Sequence, residues 1–157
     1  PGGTAPADLR PGDSLLDLGC AEGLVTMAVA RKVRHATGIE LIPARIEKAM
    51  EIAAARGIGN VTFIKGSFFS LPPDVYDVVF MMAVFGHKKL VGPKEVGEFL
   101  ERAGRKLYVS LHQPDVEAVR EVAEAKGFAM TAHPAKLTKE DVIAECTRLT
   151  PLPATAS

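Results

Sequence analysis

The chain lacks an excess of charge of either sign. In 157 residues, 19 Lys and Arg stand against 19 Asp and Glu, so the formal net charge is zero. That excludes a polycationic nucleic-acid or membrane-surface binder and leaves only local patches. Cysteine is scarce: Cys20 and Cys146 make no disulfide framework and fit a reducing compartment, so a cytoplasmic location is expected. No apolar run nears the ~20 residues of a membrane span, and the longest, 78–85, reads as a buried strand running into a loop. No set of His, Cys and carboxylates has metal spacing, and neither repeats nor low-complexity tracts occur. No targeting leader is visible, although the chain begins at Pro1 rather than Met, which weakens that absence. What remains is ordinary globular composition, 47% hydrophobic and 24% charged. It suits one domain over 1–150 with a flexible tail over 151–157.

Strand and helix signals alternate, which predicts an α/β, doubly wound, mostly parallel sheet. Strands are expected at Ser14–Leu18, Ala36–Ile39, Val61–Ile64, Asp77–Met82 and Leu107–Leu111. Between them, helices start near Leu24, with Met27 and Ala28, and at Pro43, with an apolar face of Ile46, Ala49, Met50 and Ala53. A third runs from Pro93 to Gly104, and a fourth from Pro114 and Asp115 through Val116, Val119 and Ala123 to Gly127. Phe128–Thr131 offers a sixth strand. Thr138 to Asp141 then reads as a capping box with Leu137 and Val142 as its hydrophobic staple, opening a last short helix to about Arg148.

In open α/β sheets, ligands bind beyond the carboxyl ends of the strands. The first such loop, Asp17-x-Gly19-x-Ala21-x-Gly23, ends a strand and opens a helix, and its small residues allow a sharp turn and close backbone approach. Glu40 closes the second strand, where a carboxylate can accept hydrogen bonds from both hydroxyls of a ribose. A tight βα turn with a solvated Glu is the plainer reading of each part. The two together favour a nucleoside-containing cofactor. A dinucleotide loop would want glycine at Leu24 and Ala21, and has it at neither.

At these residues the sequence resembles the class I S-adenosylmethionine-dependent methyltransferases. The run Leu15-Leu16-Asp17-Leu18-Gly19-Cys20-Ala21-Glu22-Gly23 is similar to that family's first motif, with Ala21 in place of the usual middle glycine, and Gly38-Ile39-Glu40 to its second. Asn60 to Gly66 and Tyr76 to Phe80 resemble its third and fourth strands. The resemblance covers about Pro11 to Phe128. It implies a Rossmann-like fold with S-adenosylmethionine at the glycine loop. Asp17 and the loop backbone, Gly19, Cys20, Ala21 and Gly23, would face the methionine part, and Glu40 the ribose. Leu41, Ser67, Phe68 and Ala83 complete the implied cofactor shell. Ser67 stands where the family commonly has an acidic residue, and Phe68 fits an adenine cover or a core position equally. Cys20 suits packing rather than nucleophilic attack, since no base adjoins it. The family's sheet ends in an antiparallel hairpin, whereas at most a shortened one is expected here. About ten residues precede the first strand, so a helical cap over the substrate is expected to be small or absent.

An alcohol or ammonium acceptor must lose a proton during methyl transfer, so a base is useful. His87 follows the fourth strand and His112 the fifth, and imidazole titrates in the right range. Both are candidate catalytic residues, and an ordinary polar loop residue is the plainer reading of each. His35 precedes a strand and falls at the wrong end, and His133 is expected to be peripheral. Lys88 and Lys89 adjoin His87 without interleaved aromatics, which reads as a solvated turn rather than an RNA platform. A small-molecule acceptor is therefore expected, with nucleic acid or protein left open, and the oligomeric state is not legible. The competing readings are a non-catalytic S-adenosylmethionine-binding domain or fragment of a larger RNA or protein methyltransferase, and a dinucleotide-dependent oxidoreductase.

Overall fold

A computed structural model describes residues 7–82, 91–135 and 141–153. The elements follow in the order β1 (Ser14–Leu18), α1 (Leu24–Ala30), β2 (His35–Glu40), α2 (Pro43–Ala55), β3 (Val61–Lys65), β4 (Tyr76–Met81), α3 (Pro93–Leu100), β5 (Ala103–His112), α4 (Val116–Ala125), β6 (Phe128–Pro134) and β7 (Asp141–Arg148). Short 3-10 turns at Phe68–Ser70 and Gln113–Asp115 precede β4 and α4. The seven strands form one sheet in the order β3-β2-β1-β4-β5-β7-β6. The first five strands pair in parallel, and β7 pairs antiparallel to both β5 and β6. This is the doubly wound sheet expected of a Rossmann-like methyltransferase.

The sheet is covered on both faces in its parallel part, so its strands read as continuous apolar runs. Leu16, Leu18, Val79, Met81, Leu107 and Val109 face one way, onto Val96, Phe99 and Leu100 of α3 and Val116, Val119 and Ala123 of α4. Leu15, Ala36, Val78, Phe80 and Tyr108 face the other, towards Ala30 and Val33 at the end of α1. Met27, Ile46, Ala49, Ala53, Phe63 and Cys20 close the packing of α1 and α2 on β2 and β3.

Several expectations need correction. The stretch expected to be a helix up to Arg148 is strand β7, which inserts between β5 and β6 and gives a full hairpin. Val142, Ala144 and Cys146 alternate into the core, and Asp141, Ile143, Glu145 and Thr147 alternate away from it. That two-residue period overrides the capping pattern, because β5 and β6 supply ladder partners along the whole segment. Residues 137–140 of the expected cap lie outside the described residues. Met50 is 52% exposed rather than part of the inner face of α2. In α1 the inner residues are Thr26, Met27 and Ala30, with Leu24 and Ala28 outside. That helix ends at Ala30.

Candidate active site

The carboxyl ends of β1, β2, β3 and β5 gather the residues singled out by the sequence. The loop after β1 runs through three left-handed positions: Gly19 (φ 70°), Ala21 (φ 51°) and Gly23 (φ 77°). Ala21 alone among these carries a Cβ, and left-handed backbone costs an L-residue ~1–2 kcal/mol. Glu40 offsets that cost. Its Oε1 accepts a hydrogen bond from the Ala21 amide at 3.1 Å, and its Oε2 one from the Ile42 amide at 3.0 Å. The amides of Gly19 and Cys20 both donate to the Ile39 carbonyl, at 2.9 and 3.0 Å. The strand end at Glu40 and the glycine loop are therefore one hydrogen-bonded unit.

Glycine is required beneath the loop for space. A Cβ at Gly23 would stand 2.6 Å from the Phe63 ring and 3.0 Å from the Ala49 Cβ, and one at Gly38 would stand 2.8 Å from the Cys20 Sγ. Cys20 is buried, and burial, with the charges of Asp17 and Glu40, pushes its thiol up to about 12. Cys146 is likewise buried and pushed up to about 12, chiefly by burial. Neither thiol of the chain is poised as a nucleophile.

Asp17 sits inside the turn, 4% exposed. Its Oδ2 accepts from the Thr26 hydroxyl at 2.7 Å. Burial pushes its carboxyl up to about 6, the Thr26 hydrogen bond opposing more weakly. Thr26 gave no signal in the sequence, although a hydroxyl one turn into the helix after a glycine loop is a natural partner for a strand-end carboxylate.

A carboxylate offers about four lone-pair positions. At Glu40 two are taken by amides and the Arg45 guanidinium lies 3.9 Å from Oε1, which leaves acceptor capacity for a hydroxyl on a side chain that is 10% exposed. Beside it Leu41 is 61% exposed. After β3, the Ser67 Oγ accepts from the Phe69 amide at 3.3 Å, which fixes the short turn that follows. Phe68 packs edge-on against Phe99, with ring centroids 5.6 Å apart, and joins the core. Its neighbour Phe69, passed over in the sequence, is 44% exposed. The residues present thus fit a nucleoside-bearing ligand: a left-handed loop of small residues, a strand-end carboxylate with acceptor capacity to spare, and apolar side chains on either side.

His112 ends β5 on the same side of the sheet as the glycine loop. Its Nδ1 lies 3.0 Å from Oδ1 of Asp141, and its ring is 70% exposed. His35 lies at the amino end of β2, against the Thr62 hydroxyl at 2.7 Å. On β6, His133 Nε2 is 3.4 Å from Glu145 Oε1. His87 and Ala83, with Lys88 and Lys89, lie outside the described residues. Among the described residues no three His, Cys, Asp or Glu side chains are placed to hold a metal. No described helix is long and apolar enough to cross a membrane.

Comparison with known proteins agrees with this geometry. The methyltransferase domain family matches residues 9–150. Over 56 residues, 36% of this chain, it is 48% identical to a 23S rRNA (uracil(1939)-C(5))-methyltransferase RlmD of Klebsiella pneumoniae, of which that stretch is 13%. In structure it is similar to the magnesium protoporphyrin IX methyltransferase of Synechocystis PCC 6803 with bound S-adenosylmethionine. The TM-score there is 0.74 at 20% identity, over 88% of this chain and 71% of that one. It is also similar to an rRNA methylase from Streptococcus thermophilus, with a TM-score of 0.70 at 14% identity over 90% of both chains. The match over 9–150 makes this chain a member of the methyltransferase domain family, and its sheet has that family's Rossmann-like fold.

Proposed function

We propose that the chain moves the methyl group of S-adenosylmethionine to a small molecule carrying a hydroxyl or amine. The observation that carries the reading is the Glu40 carboxylate, locked to the Ala21 amide and retaining lone pairs at the mouth of the glycine loop. The bound cofactor supplies an electrophilic methyl group, whose transfer leaves the bonding electron pair on sulfur. The loop backbone of Gly19, Cys20, Ala21 and Gly23 gives close approach to the methionine part, with Asp17 beneath it. Glu40 accepts from the ribose hydroxyls. Leu41 and Phe68 flank the adenine, and Ser67 hydrogen-bonds its edge. His112 takes the proton that the acceptor loses, and His87, outside the described residues, is the alternative base from the sequence.

Zero net charge supports a small acceptor over a polyanion. The similarity to an rRNA methyltransferase favours RNA as the second reading, although the matched stretch is 13% of that relative. Calorimetry with S-adenosylmethionine and S-adenosylhomocysteine tests the cofactor. Both should bind to the wild type and neither to a folded Gly19→Val variant, and unchanged affinity in that variant overturns the loop assignment. Transfer of labelled methyl to a panel of phenols and amines, against ribosomal RNA, then separates the acceptors. Label in RNA alone refutes the small-molecule reading. Saturable binding of a nicotinamide dinucleotide in place of S-adenosylmethionine would refute the whole assignment.

A further inference from the structure

The antiparallel hairpin brings one charged group to the site end of the sheet that no part of the reading above uses. Asp141 is the first residue of β7 and lies directly opposite His112, the last residue of β5. Directly opposed residues share a face, with Cβ atoms ~5 Å apart. Here the contact is made: Asp141 Oδ1 is 3.0 Å from His112 Nδ1. The Asp141 side chain is 23% exposed and that of His112 is 70% exposed, so the carboxylate is partly sheltered while the ring stands out towards solvent.

Register fixes where that ring stands. Asp17 pairs with Phe80 and Phe80 with Tyr108, so these three share a level and a face. Two-residue alternation places His112 on that same face. β5 lies two strands from β1, ~10 Å across, and His112 lies further along its strand by ~13 Å beyond Tyr108. The imidazole therefore overhangs the loop end of the sheet, to one side of the glycine loop, on the face to which Asp17 belongs.

From this we infer that Asp141 is a positioning residue for His112. Its carboxylate accepts the Nδ1 proton, holds the ring in the tautomer whose Nε2 lone pair is free, and so makes His112 a base for an acceptor that must shed a proton. The inference rests on the methyltransferase reading and adds to it the residue that orients the base. As the acceptor gains the methyl, its proton passes to Nε2. The imidazolium so formed is balanced by Asp141, as a carboxylate balances the base in hydrolytic triads.

The test reads His112 directly by long-range nitrogen–proton NMR of its ring at a pH where it is neutral. It compares wild type, Asp141→Asn and Asp141→Ala. Each is recorded alone, with S-adenosylhomocysteine, and with sinefungin, which carries an amine where the transferred methyl would be. The backbone bond from the Ala135 amide to the Asp141 carbonyl, 2.9 Å, does not involve the substituted side chain, so the hairpin should survive. Wild type should show Nδ1–H with Nε2 bare, and Asp141→Ala should shift towards Nε2–H. Sinefungin should move the His112 signals more than S-adenosylhomocysteine does. An unchanged tautomer in Asp141→Ala overturns the positioning role. Sinefungin that binds without disturbing His112 overturns the base. Failure of both ligands to bind refutes the cofactor reading instead, and calorimetry detects that separately. With any phenol or amine that the wild type methylates, Asp141→Ala should lower kcat by ~10²-fold at unchanged cofactor affinity, with part recovered in Asp141→Glu.

Discussion

Asp17 in the parallel half of the sheet and Glu145 in the antiparallel half are both drawn out of water, with opposite consequences. Asp17 has one hydroxyl partner, Thr26, and burial pushes its carboxyl up to about 6. At Glu145 burial pushes the same way but is outweighed. Lys106 at 2.9 Å, Tyr108 at 2.8 Å and His133 at 3.4 Å surround the carboxylate and hold it below its ordinary range. The hairpin carboxylate is satisfied by its own fold. The loop carboxylate has one partner beside the glycine loop, and such under-supplied, shifted carboxyls cluster at functional sites.

The largest expected effect comes from removing the space beneath the loop. Gly23→Val sets a branched side chain against Phe63 and Ala49 at a left-handed position. Overpacking and strain together should cost ~3–5 kcal/mol, read by urea denaturation, with cofactor binding lost. A stable Gly23→Val that still binds would show that the loop has slack.

Next is pH. The Asp17 carboxyl is raised in the folded state, so its native form binds protons more tightly than the unfolded chain does. Its contribution to stability should be fully present below the ordinary value of 3.8 and be lost as pH rises to about 6. The loss is up to ~3 kcal/mol. Asp17→Asn should flatten that slope and raise stability at neutral pH. A wild type insensitive to pH between 4 and 6 would mean that Asp17 is better solvated than its burial indicates.

Glu40→Ala should weaken S-adenosylmethionine by ~1.5–3 kcal/mol. Because Glu40 also holds the Ala21 and Ile42 amides, this variant should lose ~1 kcal/mol of stability as well. Calorimetry and thermal melting separate the two losses. In the hairpin, Glu145→Gln should cost ~1 kcal/mol, discounted because the group is partly exposed. The Glu145 contribution has the opposite sign to that of Asp17: it is present above the ordinary carboxylate value of 4.5 and lost as pH falls below it. Faster hydrogen exchange confined to β6 and β7 would check its location. Smallest of all, Met50→Lys on the outer face of α2 should change stability by less than ~0.5 kcal/mol, and a larger loss would mean that this face is covered.

The two halves also differ in how far they were legible. β1 to β4 carry short apolar runs punctuated by Gly19, Gly23, Glu40 and Pro43, and each signal is local. A strand buried on both faces looks apolar whatever its partner, and a left-handed turn demands small residues wherever it occurs. β7 has no such advantage. Its inward residues Val142, Ala144 and Cys146 are small or ambiguous, and the Thr138–Asp141 pattern mimics a helix start. Met50 went astray for a related reason: the periodicity identified an apolar stripe on α2 but not its width.

The sequence by itself determined the alternation of elements, the glycine loop and the acidic end of β2, because each rests on backbone geometry within a few residues. Only the tertiary structure decided that the last segment is a strand, since ladder hydrogen bonds to β5 and β6 outweigh a capping box worth about 1 kcal/mol. The pairing of Asp141 with His112 was decided there too. The two residues belong to distant parts of the chain and meet through strand register, which no local pattern encodes.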